Sequence, residues 1–174
     1  MKEAELAMMR RTGATEYNIL VSQMNLASTY SELGRLEEAS NMFHDVYSGR
    51  LRLNGEEHQS TLRAALNYAS SLSELQRFEE AKALLRKTLP VARRVLGGKD
   101  RLTLKMRWTY AQSLYLDAGA TLDDLREAVT TLEDVEQTAR RVLGGANPNT
   151  VRMEGSLQNA RAKLRARETP PTTN

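Results

Sequence analysis

The sequence has no cysteine, which excludes disulfides, thiolate metal sites and a cysteine nucleophile, and fits a reducing compartment. Histidine is nearly absent: His44 and His58 are the two present. Neither has a partner at ligand spacing, so no metal site is expected, and "EEH" at 56–58 is not the helical HExxH pattern. Proline occurs four times, at 90, 148, 170 and 171, and is therefore nearly missing from the body of the chain. No run of about 18 apolar residues exists to span a membrane. The start, "MKEAELAMMRRTG", carries charges where a secretory signal has its apolar core. Charge of one sign is also lacking. The 25 basic and 22 acidic side chains leave a net +3, a narrow surplus that gives nucleic-acid binding little support. The glycine pairs lack the flanking pattern of a phosphate loop, and no Ser–His–Asp arrangement stands out. No cofactor and no enzyme activity are expected, and a cytoplasmic location is.

What is present is alanine, leucine, glutamate and arginine, a composition that favours an all-helical chain. It is also periodic. "ARRVLGG" occurs at 92–98 and again at 139–145. The pairs Asn25/Asn67, Ala27/Ala69, Leu33/Leu75, Ala39/Ala81, Gly55/Gly97 and Leu62/Leu104 are each 42 residues apart. Beyond Leu114 the spacing widens to 47, as in Ala81/Ala128, Gly97/Gly144 and Thr103/Thr150. The extra residues fall in "LDAGATLDD", which reads as a lengthened turn. The expected organisation is the end of a preceding repeat at 1–12, repeats at 13–55, 56–97 and 98–144, a capping helix at 145–168 and a disordered tail at 169–174. Residues 1–12 thus read as a chain that opens inside a repeat.

Each repeat reads as two helices. Leu62, Ala65, Leu66, Ala69, Leu72 and Leu75 recur at three and four residues, the stripe of an amphipathic helix. "LQRF" interrupts it, and Phe78, Ala81, Leu84, Leu85 and Leu89 form a second stripe. Pro90 predicts a kink within the second helix, and Gly97 and Gly98 its end. Thr61, Thr103 and Thr150 are expected to cap the first helices. Ala27, Ala69 and Ala111, like Ala39, Ala81 and Ala128, mark places where helices approach closely. "ARRVLGG" is then architecture used twice, its arginines complementing a helix C-terminus.

"NLASTYSELGRLEEASNMF" resembles the tetratricopeptide repeat. The 42-residue period, with the linkers "GEEHQSTL", "GGKDRLTL" and "GGANPNTV", is similar to the kinesin light chain type of repeat. The resemblance implies a right-handed superhelical stack of antiparallel helix pairs whose first helices line a concave groove for extended peptides. The groove positions it implies are Val21, Met24, Asn25 and Ser28, then Arg63, Leu66, Asn67 and Ser70, then Lys105, Trp108, Thr109 and Gln112. Asn25 and Asn67 match the asparagine with which such arrays hold a peptide backbone or carboxylate, and Arg63 and Lys105 favour acidic peptides. Thr109 breaks the asparagine series, and Trp108 is either a groove anchor or core. The heptad segment through which kinesin light chains bind their motor is not found. His58, Asp100 and Asn147 share one linker position, so no linker chemistry is expected of the histidine.

The function expected is a non-enzymatic adaptor or scaffold binding acidic peptide segments, with a kinesin-related transport or signalling partner among those implied. One alternative is an anion- or nucleic-acid-binding array built on Arg93, Arg94, Arg140, Arg141 and the basic residues of 161–167. The other is a repeat fragment that self-associates through an open N-terminal edge.

Overall fold

The computed structural model describes residues 2–11, 13 and 15–169, and the chain forms two compact units, Met1–Arg77 and Phe78–Asn174. The first holds α1 (Lys2–Arg11), α2 (Glu16–Glu32), α3 (Leu36–Asn54) and α4 (Gln59–Glu74). The second holds α5 (Phe78–Leu96), α6 (Arg101–Leu116), α7 (Leu122–Leu143) and α8 (Pro148–Glu168). No strand occurs among the described residues. Within each unit every helix packs on the next, and α6 also touches α8. Short turns make such neighbours antiparallel. The expected disordered tail lies outside the described residues except for Thr169, which closes α8.

The alanines identified by register let the helices come together. Ala27, Ala39 and Ala69 in the first unit, and Ala81, Ala111 and Ala128 in the second, are all fully buried. Around them Leu26, Tyr30 and Phe43 form one core cluster, and Leu104, Val135, Ala139 and Met153 another. Gly49 is a close approach of a different kind: a Cβ there would come within 2.7 Å of Leu20 Cδ2. Helix ends obey the glycine expectation. α5 stops at Leu96 before Gly97 at φ 89°, and α7 at Leu143 before Gly144 at φ 90°. α5 runs unbroken through the exposed Pro90.

The threonines do not cap. The N-caps of α4, α6 and α8 are His58, Asp100 and Asn147. His58 Nδ1 accepts from Ser60 N at 3.1 Å, Asp100 Oδ1 from Leu102 N at 2.8 Å and Asn147 Oδ1 from Asn149 N at 2.9 Å. The shared linker position therefore has one job, done by an imidazole, a carboxylate and an amide in turn. Thr61, Thr103 and Thr150 lie inside the first turn and are buried. Thr61 and Thr103 reach back to the preceding helix, donating to the carbonyls of Arg50 at 3.1 Å and Ala92 at 3.4 Å. Threonine fits because its hydroxyl offsets the cost of burial with a bond that staples one repeat to the next.

The five-residue widening of the third repeat is divided. The α6–α7 turn has five residues (117–121) where α4–α5 has three (75–77), and α7 has 22 residues where α5 has 19. The turn is pinned by lysines. Lys82, 2% exposed, pairs with Glu79 at 2.5 Å and Asp117 at 3.3 Å. Lys163 donates to the carbonyls of Tyr115 at 2.6 Å and Asp117 at 3.0 Å, where the C-terminus of α6 favours a cation. The backbone N–H of Gly119, followed by Lys82, holds the Asp117 carboxyl below its ordinary range against a desolvation that works the other way. A depressed carboxylate stabilises the fold above its unfolded pKa, and that contribution is lost as pH falls through the lower folded value. Asp117→Asn is accordingly expected to cost about 1 kcal/mol at pH 7, with the deficit against wild type closing in urea titrations as pH falls below the ordinary aspartate range.

Candidate functional site

The first half of α2, the end of α3 and the start of α4 enclose a cleft of about 310 Å3. Tyr17, Val21, Met24 and Asn25 enter it from α2, Arg50 from α3, and His58, Gln59, Ser60 and Arg63 from the start of α4. Four of the expected groove residues, Val21, Met24, Asn25 and Arg63, therefore share one cavity. Asn25 and Arg63 are exposed, with their polar ends available. The N-terminus of α4 adds partial positive charge. Its cap is a small network: Asn54 Nδ2 donates to Ser60 Oγ at 2.8 Å, and His58 Nδ1 lies 2.8 Å from the same hydroxyl.

Arg50 was not among the expected residues. It is 4% exposed, and its Nε and Nη1 are buried without a hydrogen-bond partner. The Tyr17 ring lies over its guanidinium, 4.2 Å from ring centroid to Cζ, and Tyr17 itself is 56% exposed. A ring face stabilises a desolvated cation by roughly 2 kcal/mol, against an effective penalty of several kcal/mol for burying the ion. An anion entering the cleft beside Tyr17 would relieve that imbalance. A signal for Arg50 existed in the register: Ala92 stands 42 residues on and Ala139 a further 47, both fully buried. Arginine thus stands where the other repeats have a buried alanine.

The remaining groove positions differ in their surroundings. Ser28 donates to the Met24 carbonyl at 3.1 Å. Leu66 is buried and belongs to the interior. Asn67 is half-buried with Nδ2 3.3 Å from Met24 Sδ, and Ser70 is half-buried. In the second unit Lys105 is exposed, Gln112 half-buried and Thr109 buried. Trp108 packs against the Leu104–Val135–Ala139–Met153 cluster, and its Nε1 donates to Ser156 Oγ at 2.8 Å.

The basic residues of the alternative reading do not form one track. Arg93 and Arg94 line a cavity with α6 and α7. Arg140 pairs with Glu136 at 2.7 Å and Glu154 at 3.3 Å, and Arg161 with Glu133 at 2.7 Å. At the N-terminal edge α1 packs on α2, where Glu3 bonds the Tyr30 hydroxyl and lies 3.5 Å from Arg35. No group of three or more potential metal ligands occurs among the described residues, and no helix there is long and apolar enough to cross a membrane.

The tetratricopeptide repeat family matches residues 18–93. No curated protein sequence matches the chain. Among solved structures, the nearly identical TPR-like repeats of a Podosopora anserina protein described as a kinesin light chain, in a singly substituted form, superpose with a TM-score of 0.77 at 23% identity, covering 96% of this chain and 77% of that one. A second structure of those repeats gives 0.75 at 22% identity with the same coverage. BtubC (BKLC) of P. vanneervenii gives 0.58 at 17% identity over 92% of this chain and 69% of that one. Residues 18–93 match the tetratricopeptide repeat, and over nearly its whole length the chain shares the fold of the TPR-like repeats in those structures.

Proposed function

We propose that the protein is a non-enzymatic adaptor whose first unit holds an extended acidic segment of a partner protein in the α2–α3–α4 cleft. The observation that carries this reading is Arg50, a buried cation with two unpartnered donors beside the exposed Arg63 and Asn25. In this reading a partner carboxylate displaces the Tyr17 ring and pairs with Arg50 and Arg63. The Asn25 amide, with donor and acceptor together, bonds the extended backbone, and Val21 and Met24 supply apolar contact. Trp108 and Thr109 play no part, because their neighbours are those of core residues. A cytoplasmic location, which the lack of cysteine fits, and a kinesin-related partner, which the repeat type implies, belong to the same reading.

Fluorescence anisotropy with labelled acidic peptides tests this, using a neutral peptide of the same length as reference. Preferential, salt-weakened binding of the acidic peptide is expected, with at least about tenfold loss in Asn25→Ala/Arg63→Glu, since a few anchor residues carry most of an interface's energy. Equal affinity for both peptides, or unchanged affinity in the double variant, removes the proposal.

A further inference from the structure

The repeat register places one structural position three times, and each copy carries different chemistry. Arg86, Leu89, Arg107 and Tyr110 correspond to His44, Tyr47, Ala65 and Tyr68 on stepping 42 residues back, and to Glu133, Glu136, Glu154 and Leu157 on stepping 47 forward. In the first copy the aromatic rings pack on each other: His44 meets Tyr68 edge-on at 5.3 Å, and Tyr47 stacks on Tyr68 at 6.4 Å. In the third copy both arginines of the cleft between α7 and α8 are taken up by carboxylates, in the Glu133–Arg161, Glu136–Arg140 and Glu154–Arg140 pairs.

The middle copy stays open, and its charged lining is mainly arginine. It is a cavity of about 600 Å3 between α5, α6 and α7, lined by four arginines and one carboxylate, Glu127. Arg107 reaches it from α6. The residue is 7% exposed, its Nη2 donates to Asp134 at 2.5 Å, and its Nε is buried with no hydrogen-bond partner. Glu127 is held within the lining, its Oε1 accepting from the Tyr110 hydroxyl at 2.9 Å, while that hydroxyl accepts from Arg86 Nε at 3.1 Å. Arg93 is exposed, and its side chain makes no ion pair or hydrogen bond among the described residues. Arg94 is itself engaged, so Arg93 and the buried Nε of Arg107 are the donors left open beside the cavity.

We propose that this cavity is an anion site for a phosphate monoester dianion, held by Arg86, Arg93 and Arg107. Such a group carries about −1.5 to −2 charges near neutral pH, and its three oxygens can each take an arginine donor where a carboxylate offers two. The scaffold does not require arginine here, because the same positions one repeat on hold Glu133 and Glu154. The site is independent of the α2–α3–α4 cleft, and its test does not depend on peptide binding there.

Isothermal titration of the full chain at low salt with phenyl phosphate, inorganic phosphate and a phosphoserine peptide tests it. One saturable site is expected. Its affinity should fall at least about tenfold in Arg93→Glu and in Arg107→Met, and as pH drops through about 6, where the dianion takes up a proton. Arg140→Glu, the register equivalent of Arg93 outside the cavity, should leave it intact. A phosphoserine peptide that binds tighter than phenyl phosphate assigns the site to a phosphorylated partner segment, and equal affinity assigns it to free phosphate esters. Absence of saturable binding by all three probes, or an equal loss in Arg140→Glu, overturns the proposal. Arg93 is exposed, so its variant keeps the test meaningful if Arg107→Met fails to fold.

Discussion

Replacing Arg50 by methionine is expected to stabilise the protein by about 1–3 kcal/mol while weakening acidic-peptide binding at least about tenfold. Most buried polar side chains serve the fold, and cutting one away exposes an orphaned partner. Arg50 is the reverse case, since the unsatisfied atoms are its own Nε and Nη1. Methionine fills a similar volume, adapts to an irregular gap and keeps a favourable sulfur contact with the Tyr17 ring. Removing the ion also removes its desolvation penalty, which the ring face offsets in part. The carbonyl of residue 50, which accepts from Thr61, is untouched. Urea denaturation reads the first effect as a raised midpoint with unchanged slope, and peptide anisotropy reads the second. A variant that loses stability would show that the guanidinium supports the fold.

Trp108→Ala carries the other large effect, a loss of about 3 kcal/mol. The indole packs on four buried residues of α6, α7 and α8 and bonds Ser156. Truncation leaves a cavity at that contact and frees the Ser156 hydroxyl. Trp108→Phe, which keeps most of the ring, should cost about 1 kcal/mol for the lost bond. In both variants acidic-peptide affinity at temperatures below the melting transition should match wild type. A Trp108→Ala protein of normal stability that no longer binds peptide would make the indole a groove anchor and contradict the assignment to the core.

The helices were legible because their signals are local and repeated. The alanines at 27, 69 and 111 mark buried close approaches in three helices, and the glycines at 55, 97 and 144 end three others at positive φ. The caps were misread by three residues. A threonine near a helix start serves equally as a cap or as an inward hydroxyl, and the choice rests on where the preceding helix ends, which spacing does not tell. Leu66 was assigned to both the packing stripe and the groove, and burial decides for packing. Arg50 was missed because a basic residue near a helix C-terminus already has an ordinary explanation in the helix dipole. Its side chain runs inward here, beneath Tyr17 from another helix. That tertiary contact appears in the sequence only as an arginine out of register with two alanines.

The central claim is that an acidic partner segment pairs with Arg50. The most direct measurement is a nuclear magnetic resonance titration that follows the arginine Nε–H signals of labelled protein as an acidic peptide is added. The account predicts that the Arg50 Nε–H moves saturably, together with the ring signals of Tyr17, and that the Arg140 Nε–H does not. Peptide binding that leaves the Arg50 Nε–H and the Tyr17 ring unmoved would contradict it.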